Sequence, residues 1–167
     1  FARSCGLTAA PVDPLVAFHM VFGKTVPDIS LNAVANLGYA EGLFLKALYP
    51  GDTVTATSEV IGLKENSNRK TGVVYVRTTG ENQHGETVLS YVRWVMVRKR
   101  PEDAEVGEQA TPKLATAVAA SDLILPQGLD VSKYDFALAG APHAFEDYAV
   151  GEKIDHVDGM AIEEAEH

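Results

Sequence analysis

Residues 13–26, Asp-Pro-Leu-Val-Ala-Phe-His-Met-Val-Phe-Gly-Lys-Thr-Val, read as a helix with no wet side. Asp13 suits the N-cap, where a carboxylate accepts backbone N–H bonds of the first turn, and Pro14 fits the first helical position, where a missing donor costs nothing. Pro27 forbids ordinary continuation. Between these limits Leu15, Val16, Phe18, Met20, Val21 and Phe22 cover more than a single stripe, which predicts burial around most of the circumference. A helix of that kind needs a sheet to enclose it.

At 167 residues and 46% apolar, the chain has material for one core plus an extension. Cys5 is the sole cysteine, so no internal disulfide forms, and it reads as a small apolar residue. No apolar run approaches the ~20 residues that span a bilayer. Together these point to a reducing cytoplasm and away from membranes. A formal charge of −9 opposes phosphate binding over most of the surface and excludes nucleic acid as the general partner. The chain opens on Phe1 with no initiating Met and stops at residues 163–167 in what reads as the opening turns of a helix, so it is expected to be an internal piece of a longer protein.

Four segments with strand character follow the helix. Residues 38–49 carry Leu43, Phe44, Leu45 and Leu48; Pro50-Gly51-Asp52 turns; residues 53–63 are dense in β-branched side chains. That pair predicts a hairpin. Beyond the polar reversal at 64–70, residues 72–79 hold Val73, Val74, Tyr75 and Val76, and Asn82-Gln83-His84-Gly85 turns the chain again. The last strand, 86–98, alternates Val88, Val92, Trp94 and Met96 with Leu89, Tyr91, Val95 and Val97. Sequential strands with short turns favour an antiparallel meander, giving an α+β unit over residues 1–100. Residues 101–133, punctuated by Pro101, Pro112 and Pro126, read as a linker. From residue 134, and most clearly over 145–154, a turn leads into a strand as though a second unit were beginning.

The helix followed by Tyr49-Pro50-Gly51-Asp52-Thr53-Val54 and three further antiparallel strands resembles the MaoC-like hydratases, whose hot-dog fold wraps a curled sheet around one long helix. Phe145 to Ile154, then Ile162-Glu163-Glu164-Ala165-Glu166, is similar to the start of another such unit, which implies a double hot-dog. Val26-Pro27-Asp28-Ile29-Ser30-Leu31-Asn32-Ala33, Asn36-Leu37-Gly38-Tyr39-Ala40, Lys70-Thr71-Gly72-Val73-Val74-Tyr75-Val76 and the run from Tyr91 to Arg100 resemble the mesaconyl-CoA hydratase branch of that family, as does Gly151-Glu152-Lys153-Ile154-Asp155-His156-Val157-Asp158-Gly159. The resemblance implies a lyase that reversibly adds water to mesaconyl-C1-CoA, giving β-methylmalyl-CoA. It implies a CoA thioester as substrate, a homo-oligomer, no cofactor, and a protein about twice this length.

Hydration beside a thioester needs a general acid and base and donors for an enolate oxygen. The family resemblance implies an Asp, four intervening residues, then His; the residues five before His19, His84, His143, His156 and His167 are Pro14, Thr79, Leu138, Gly151 and Ile162. The dyad is expected outside this chain, and no catalytic residue is assigned within it. His19, on the helix, is a candidate substrate contact, though a lone His among apolar neighbours is more often a satisfied core residue. Asn32, Asn36 and Tyr39 are candidates to line a substrate pocket, while Asn beside Gly is also ordinary turn chemistry. Arg93, Arg98, Lys99 and Arg100 form the one dense basic patch, suited to CoA phosphates or simply to a solvated strand end. His156 and His167 with Asp155, Asp158, Glu163, Glu164 and Glu166 lack any metal-ligand spacing, so no metal site is expected.

Two other readings compete. A hot-dog thioesterase needs a carboxylate on the central helix, and residues 14–26 contain none. A non-catalytic half that completes a partner unit's sheet and pocket needs no catalytic group at all.

Overall fold

Asp13 caps the first helix as its chemistry requires: its carboxylate accepts the Leu15 N–H at 2.7 Å, Pro14 occupies the first turn, and α1 runs Pro14–Thr25. This is a computed structural model, and it describes residues 1–101, 104–140, 143–156, 159 and 161. Pro27 does not end the coil outright. Lacking an N–H and crowding the carbonyl four residues back, it is accommodated by a wider π-turn over Val26–Ser30, closed by Leu31 N–H to the Val26 carbonyl at 2.8 Å.

Four strands follow: β1 Ala33–Phe44, β2 Val54–Glu65, β3 Thr71–Asn82 and β4 Thr87–Arg98. They form one antiparallel sheet in the order β1-β4-β3-β2. Strands β2 to β4 are the expected meander, but the expected hairpin between the first two strands is absent. β1 lies on the far edge beside β4, because the chain between β1 and β2 crosses the end of the sheet; there Leu45 N–H donates to the Val88 carbonyl and Val12 N–H to that of the buried Leu48. β1 also starts and ends about five residues earlier than expected. Its Asn- and Gly-rich opening looks like a turn, yet it pairs with β4 through three register shifts, with Glu41 at φ 53° near one of them.

The sheet has two distinct faces. Ala17 and Val21 of α1 pack with Leu48, Val88, Leu89 and Tyr91, and Phe18 and Phe22 flank that core. Residues 17, 21 and 25 recur every four positions, so α1 buries one stripe only. The expectation of all-round burial is therefore corrected: Leu15, Val16 and Met20 project outward and are exposed. On the opposite face Tyr75 and Trp94 stack, and the chain after β4 passes over them. Ala110 exchanges backbone bonds of 2.9 and 3.0 Å with Leu63, and Ala115 N–H reaches the Glu41 carboxylate at 3.0 Å. No helix among the described residues is long and apolar enough to cross a membrane.

Beyond residue 128 the chain returns to the N-terminal loop. Asp130 N–H donates to the Cys5 carbonyl and Asp135 N–H to that of Ser4, each at 3.0 Å, and both Ser4 and Cys5 are buried. Short turns of helix follow at Phe136–Ala139 and Phe145–Asp147. The expected helix at 162–166 lies outside the described residues.

Candidate functional site

Along β4 the inward-facing positions are Leu89, Tyr91, Arg93 and Val95, paired across β3 with Gly80, Thr78, Val76 and Val74. A side chain at 93 therefore points at the helix. Arg93 is fully buried there. Its Nη2 donates to Thr25 Oγ1 at 2.8 Å and its Nη1 to Ser30 Oγ at 3.3 Å, and the Phe22 ring lies 4.6 Å from the guanidinium carbon. Thr25 is set up as an acceptor, since its hydroxyl hydrogen goes to the Phe22 carbonyl at 2.7 Å. Nε has no partner, and among the described residues no carboxylate pairs with this guanidinium. Burial pulls its pKa below the usual arginine range, partly offset by Tyr91 and Tyr39.

Rings surround this charge. Tyr91 lies 5.0 Å from Phe18 and 6.2 Å from Tyr39, centroid to centroid, and Phe18 and Phe22 stack at 5.7 Å. The Tyr91 hydroxyl, close to Thr78 and Thr25, is buried without a hydrogen-bond partner, and burial pushes its pKa upward. Tyr39, opposite Arg93 on β1, is partly exposed and accepts a 2.6 Å bond from Asn36 Nδ2. Phe18, Phe22, Tyr39 and Tyr91 thus form an aromatic niche closed over the guanidinium, with Arg93 and Tyr91 both buried beneath it.

Of the residues singled out from sequence, Asn36, Tyr39 and Arg93 face this niche. Asn32 lies elsewhere: with Ala33, Val34, Val97, Arg98, Lys99 and Arg100 it lines an open cleft of about 560 Å³ at the end of the sheet. Arg98 and Arg100 are exposed, while Lys99 is engaged by Glu65 at 2.6 Å and the Ala104 carbonyl at 2.8 Å. Arg93 is thus separate from the other basic residues, about 17 Å along the strand from Arg98 and on the opposite face. His19 is neither core nor niche. It stands on the outer side of α1, edge-on to Phe18 at 5.6 Å, because two residues from Ala17 is more than half a turn away.

Sequence reasoning missed Tyr91, Thr25, Ser30 and the burial of Arg93. The alternation that places Leu89, Tyr91 and Val95 on one face also places Arg93 there, and that pattern was sufficient to find it. A second concavity, about 400 Å³ and mainly apolar, opens at the start of α1 between Val12, Ala17, Leu48, Val88, Ile124 and Leu125. Among the described residues no three His, Cys, Asp or Glu side chains gather as a metal site, and Asp158, Glu163, Glu164, Glu166 and His167 lie outside them.

An antiparallel sheet carrying one helix on its inner face defines a hot-dog unit, and a double hot-dog protein from Mycobacterium tuberculosis matches it with a TM-score of 0.57 and 25% identity over 82% of this chain and 42% of that one. The fold matches a MaoC domain protein dehydratase from Chloroflexus aurantiacus J-10-fl with a TM-score of 0.83 and 57% identity, over 100% of this chain and 48% of that one. Residues 1–141 match the mesaconyl-CoA hydratase family, and the chain belongs to it. Over 167 residues it is 69% identical to a mesaconyl-CoA hydratase from Cereibacter sphaeroides and 58% identical to a beta-methylmalyl-CoA dehydratase from Chloroflexus aurantiacus. It covers 49% and 47% of those two proteins, about half the length of the curated relatives it matches.

Proposed function

We propose that this chain is the first hot-dog unit of a two-unit hydro-lyase that reversibly hydrates mesaconyl-C1-CoA to β-methylmalyl-CoA. The observation that carries the proposal is 69% identity over the whole chain with a mesaconyl-CoA hydratase. Residues 1–100 form the unit, 101–133 connect it, and 134–167 open the second unit. The Asp-x4-His dyad lies in the part of the protein beyond this chain, so the first unit contributes binding surface rather than proton transfer. The protein acts in the cytoplasm as a homo-oligomer on a CoA thioester.

Within this unit the roles divide by chemistry. Exposed Arg98 and Arg100, beside Asn32 at the open cleft, supply cations for CoA phosphates. Asn36, Tyr39 and the aromatic niche take the acyl end. His19, on the outer side of α1, is left as a contact to whatever covers that face. The thioesterase reading gains nothing here, because the Asp13 carboxylate is committed to the helix cap and α1 itself carries no acid.

The two-unit protein, supplied with mesaconyl-CoA, is expected to consume the conjugated thioester and form β-methylmalyl-CoA without releasing free CoA. Release of free CoA in place of hydration would overturn the proposal, as would failure to convert the substrate.

A further inference from the structure

Arg93 is enclosed without a counter-charge. A guanidinium offers five N–H donors in a planar fork. Two atoms of this one meet neutral hydroxyls, Nε meets nothing, and the remaining contact is the face of Phe22. Hydroxyls and rings solvate a cation but leave its charge in place, and an arginine that serves only packing is normally matched by a carboxylate. Next to it on the same face of β4, the Tyr91 hydroxyl is a second buried donor with no acceptor. Two orphaned donors side by side, walled by Phe18, Phe22 and Tyr39, describe a receptor for an anion with a flat, two-oxygen head.

The lid of this niche is also unusual. Ser30, whose 3.3 Å bond to Nη1 is the longer of the two, belongs to the π-turn after Pro27, and such turns cluster where helices serve a site. A phenol is protonated at neutral pH, and burial moves Tyr91 further from ionising, so it stays a donor.

We infer that Arg93 and Tyr91 receive the free carboxylate of a dicarboxylic acyl thioester, so that this unit reads the end of the substrate farthest from sulfur. The inference rests on the hydratase reading above and deepens it. Mesaconyl-C1-CoA carries its carboxylate at that far end, and the carboxylate supplies the counter-charge the niche lacks. The unpartnered Nε–H of Arg93 donates to one carboxylate oxygen and the Tyr91 hydroxyl to the other, while Nη1 and Nη2 keep Ser30 and Thr25. A CoA phosphate has the same acceptor chemistry, and the experiment separates the two.

The test compares mesaconyl-CoA with tiglyl-CoA, which has a methyl group in place of the carboxylate, on the full-length two-unit protein. For Arg93→Gln, kcat/KM for mesaconyl-CoA is expected to fall about tenfold or more while that for tiglyl-CoA stays within about threefold. Arg93→Lys, which keeps charge and loses the fork, should fall between. Equal losses on both substrates, as a CoA-phosphate contact or a packing role would give, overturn the inference. So does an unchanged ratio, or loss of all activity in both variants. If the parent itself hydrates neither substrate, the hydratase reading has failed, and that case is told apart by the parent's own rates.

Discussion

Tyr75 and Trp94 stack across β3 and β4 with ring centroids 6.0 Å apart, and a glycine stands at each end of the row they form. Gly62 pairs with Tyr75, and Gly38 pairs with Trp94. A Cβ at Gly38 would come within 2.5 Å of the Trp94 ring, and one at Gly62 within 2.6 Å of the Ala110 carbonyl and Pro112. The rings and the passing chain therefore occupy space that any side chain would claim. Gly38→Ala and Gly62→Ala should each destabilise by about 1 to 3 kcal/mol through overpacking. Gly42→Ala, where nothing lies within 4 Å, should stay within about 0.5 kcal/mol of the parent. Urea unfolding of the three variants checks the contrast; equal midpoints would remove the close-packing explanation.

Helix α1 makes a second contrast. Val21 is 1% exposed and touches the Gly80 position from above, whereas Met20 is 52% exposed. Val21→Ala should cost roughly 1.5 to 3 kcal/mol in lost burial and residual cavity. Met20→Ala should change the stability of this chain by less than about 0.5 kcal/mol. A thermal melt in which Met20→Ala is the more damaging change would show that the outer face of α1 is covered in solution.

That second contrast marks where sequence patterning reached its limit. The apolar content of residues 13–26 is legible, but composition does not say how many faces find a partner, and here only the 17-21-25 stripe does. β2, β3 and β4 were legible because β-branched residues alternate along them with clear turns between. β1 was not, because Asn32, Asn36 and Gly38 carry turn chemistry, and pairing with β4 depends on a crossing connection that no local pattern encodes. The candidate site was half legible. Asn36 and Tyr39 stand out in the sequence as pocket candidates and Arg93 as part of a basic patch, and their convergence follows from strand order, while Thr25 enters from the last turn of α1 and Ser30 from the π-turn.

Glu41, on the edge strand β1, joins the segment after β4 to the interior strand β3, accepting Ala115 N–H at 3.0 Å and Arg77 Nη2 at 2.5 Å. The Ala115 bond first, then Arg77, hold its carboxyl below the ordinary value of 4.5. Its folded pKa is depressed, so its contribution is present above the unfolded value and is lost as pH falls through the folded one. Glu86, held down by Lys46 and then Asn82, has the same sign. Stability should therefore decline as pH drops below about 4.5. In Glu41→Gln the decline should be shallower and the neutral-pH stability lower. Urea midpoints from pH 7 to pH 3 test this, and parallel curves for parent and variant would exclude Glu41 as a contributor.

The segment after residue 128 yields the last expectation. A chain that merely begins a second unit has little reason to be ordered, but Asp130 and Asp135 donate backbone bonds to Cys5 and Ser4, whose side chains are buried. Phe1 adds a ring contact to Tyr134 at 5.8 Å. By contrast Phe145, Tyr148, Val150 and Ile154 are exposed, and the bonds of Asp147, Tyr148 and Glu152 are local turns. Amide exchange requires opening, and its cost follows from what the bonded carbonyls are packed in. Asp130 and Asp135 should therefore exchange at least about tenfold more slowly than Tyr148 to Ile154. Cys5→Ser, which places a polar hydroxyl in a fully enclosed site, should speed exchange at Asp130 and Asp135 while leaving the β3–β4 amides unchanged. Uniformly fast exchange across both stretches would show that the N-terminal loop does not hold this segment.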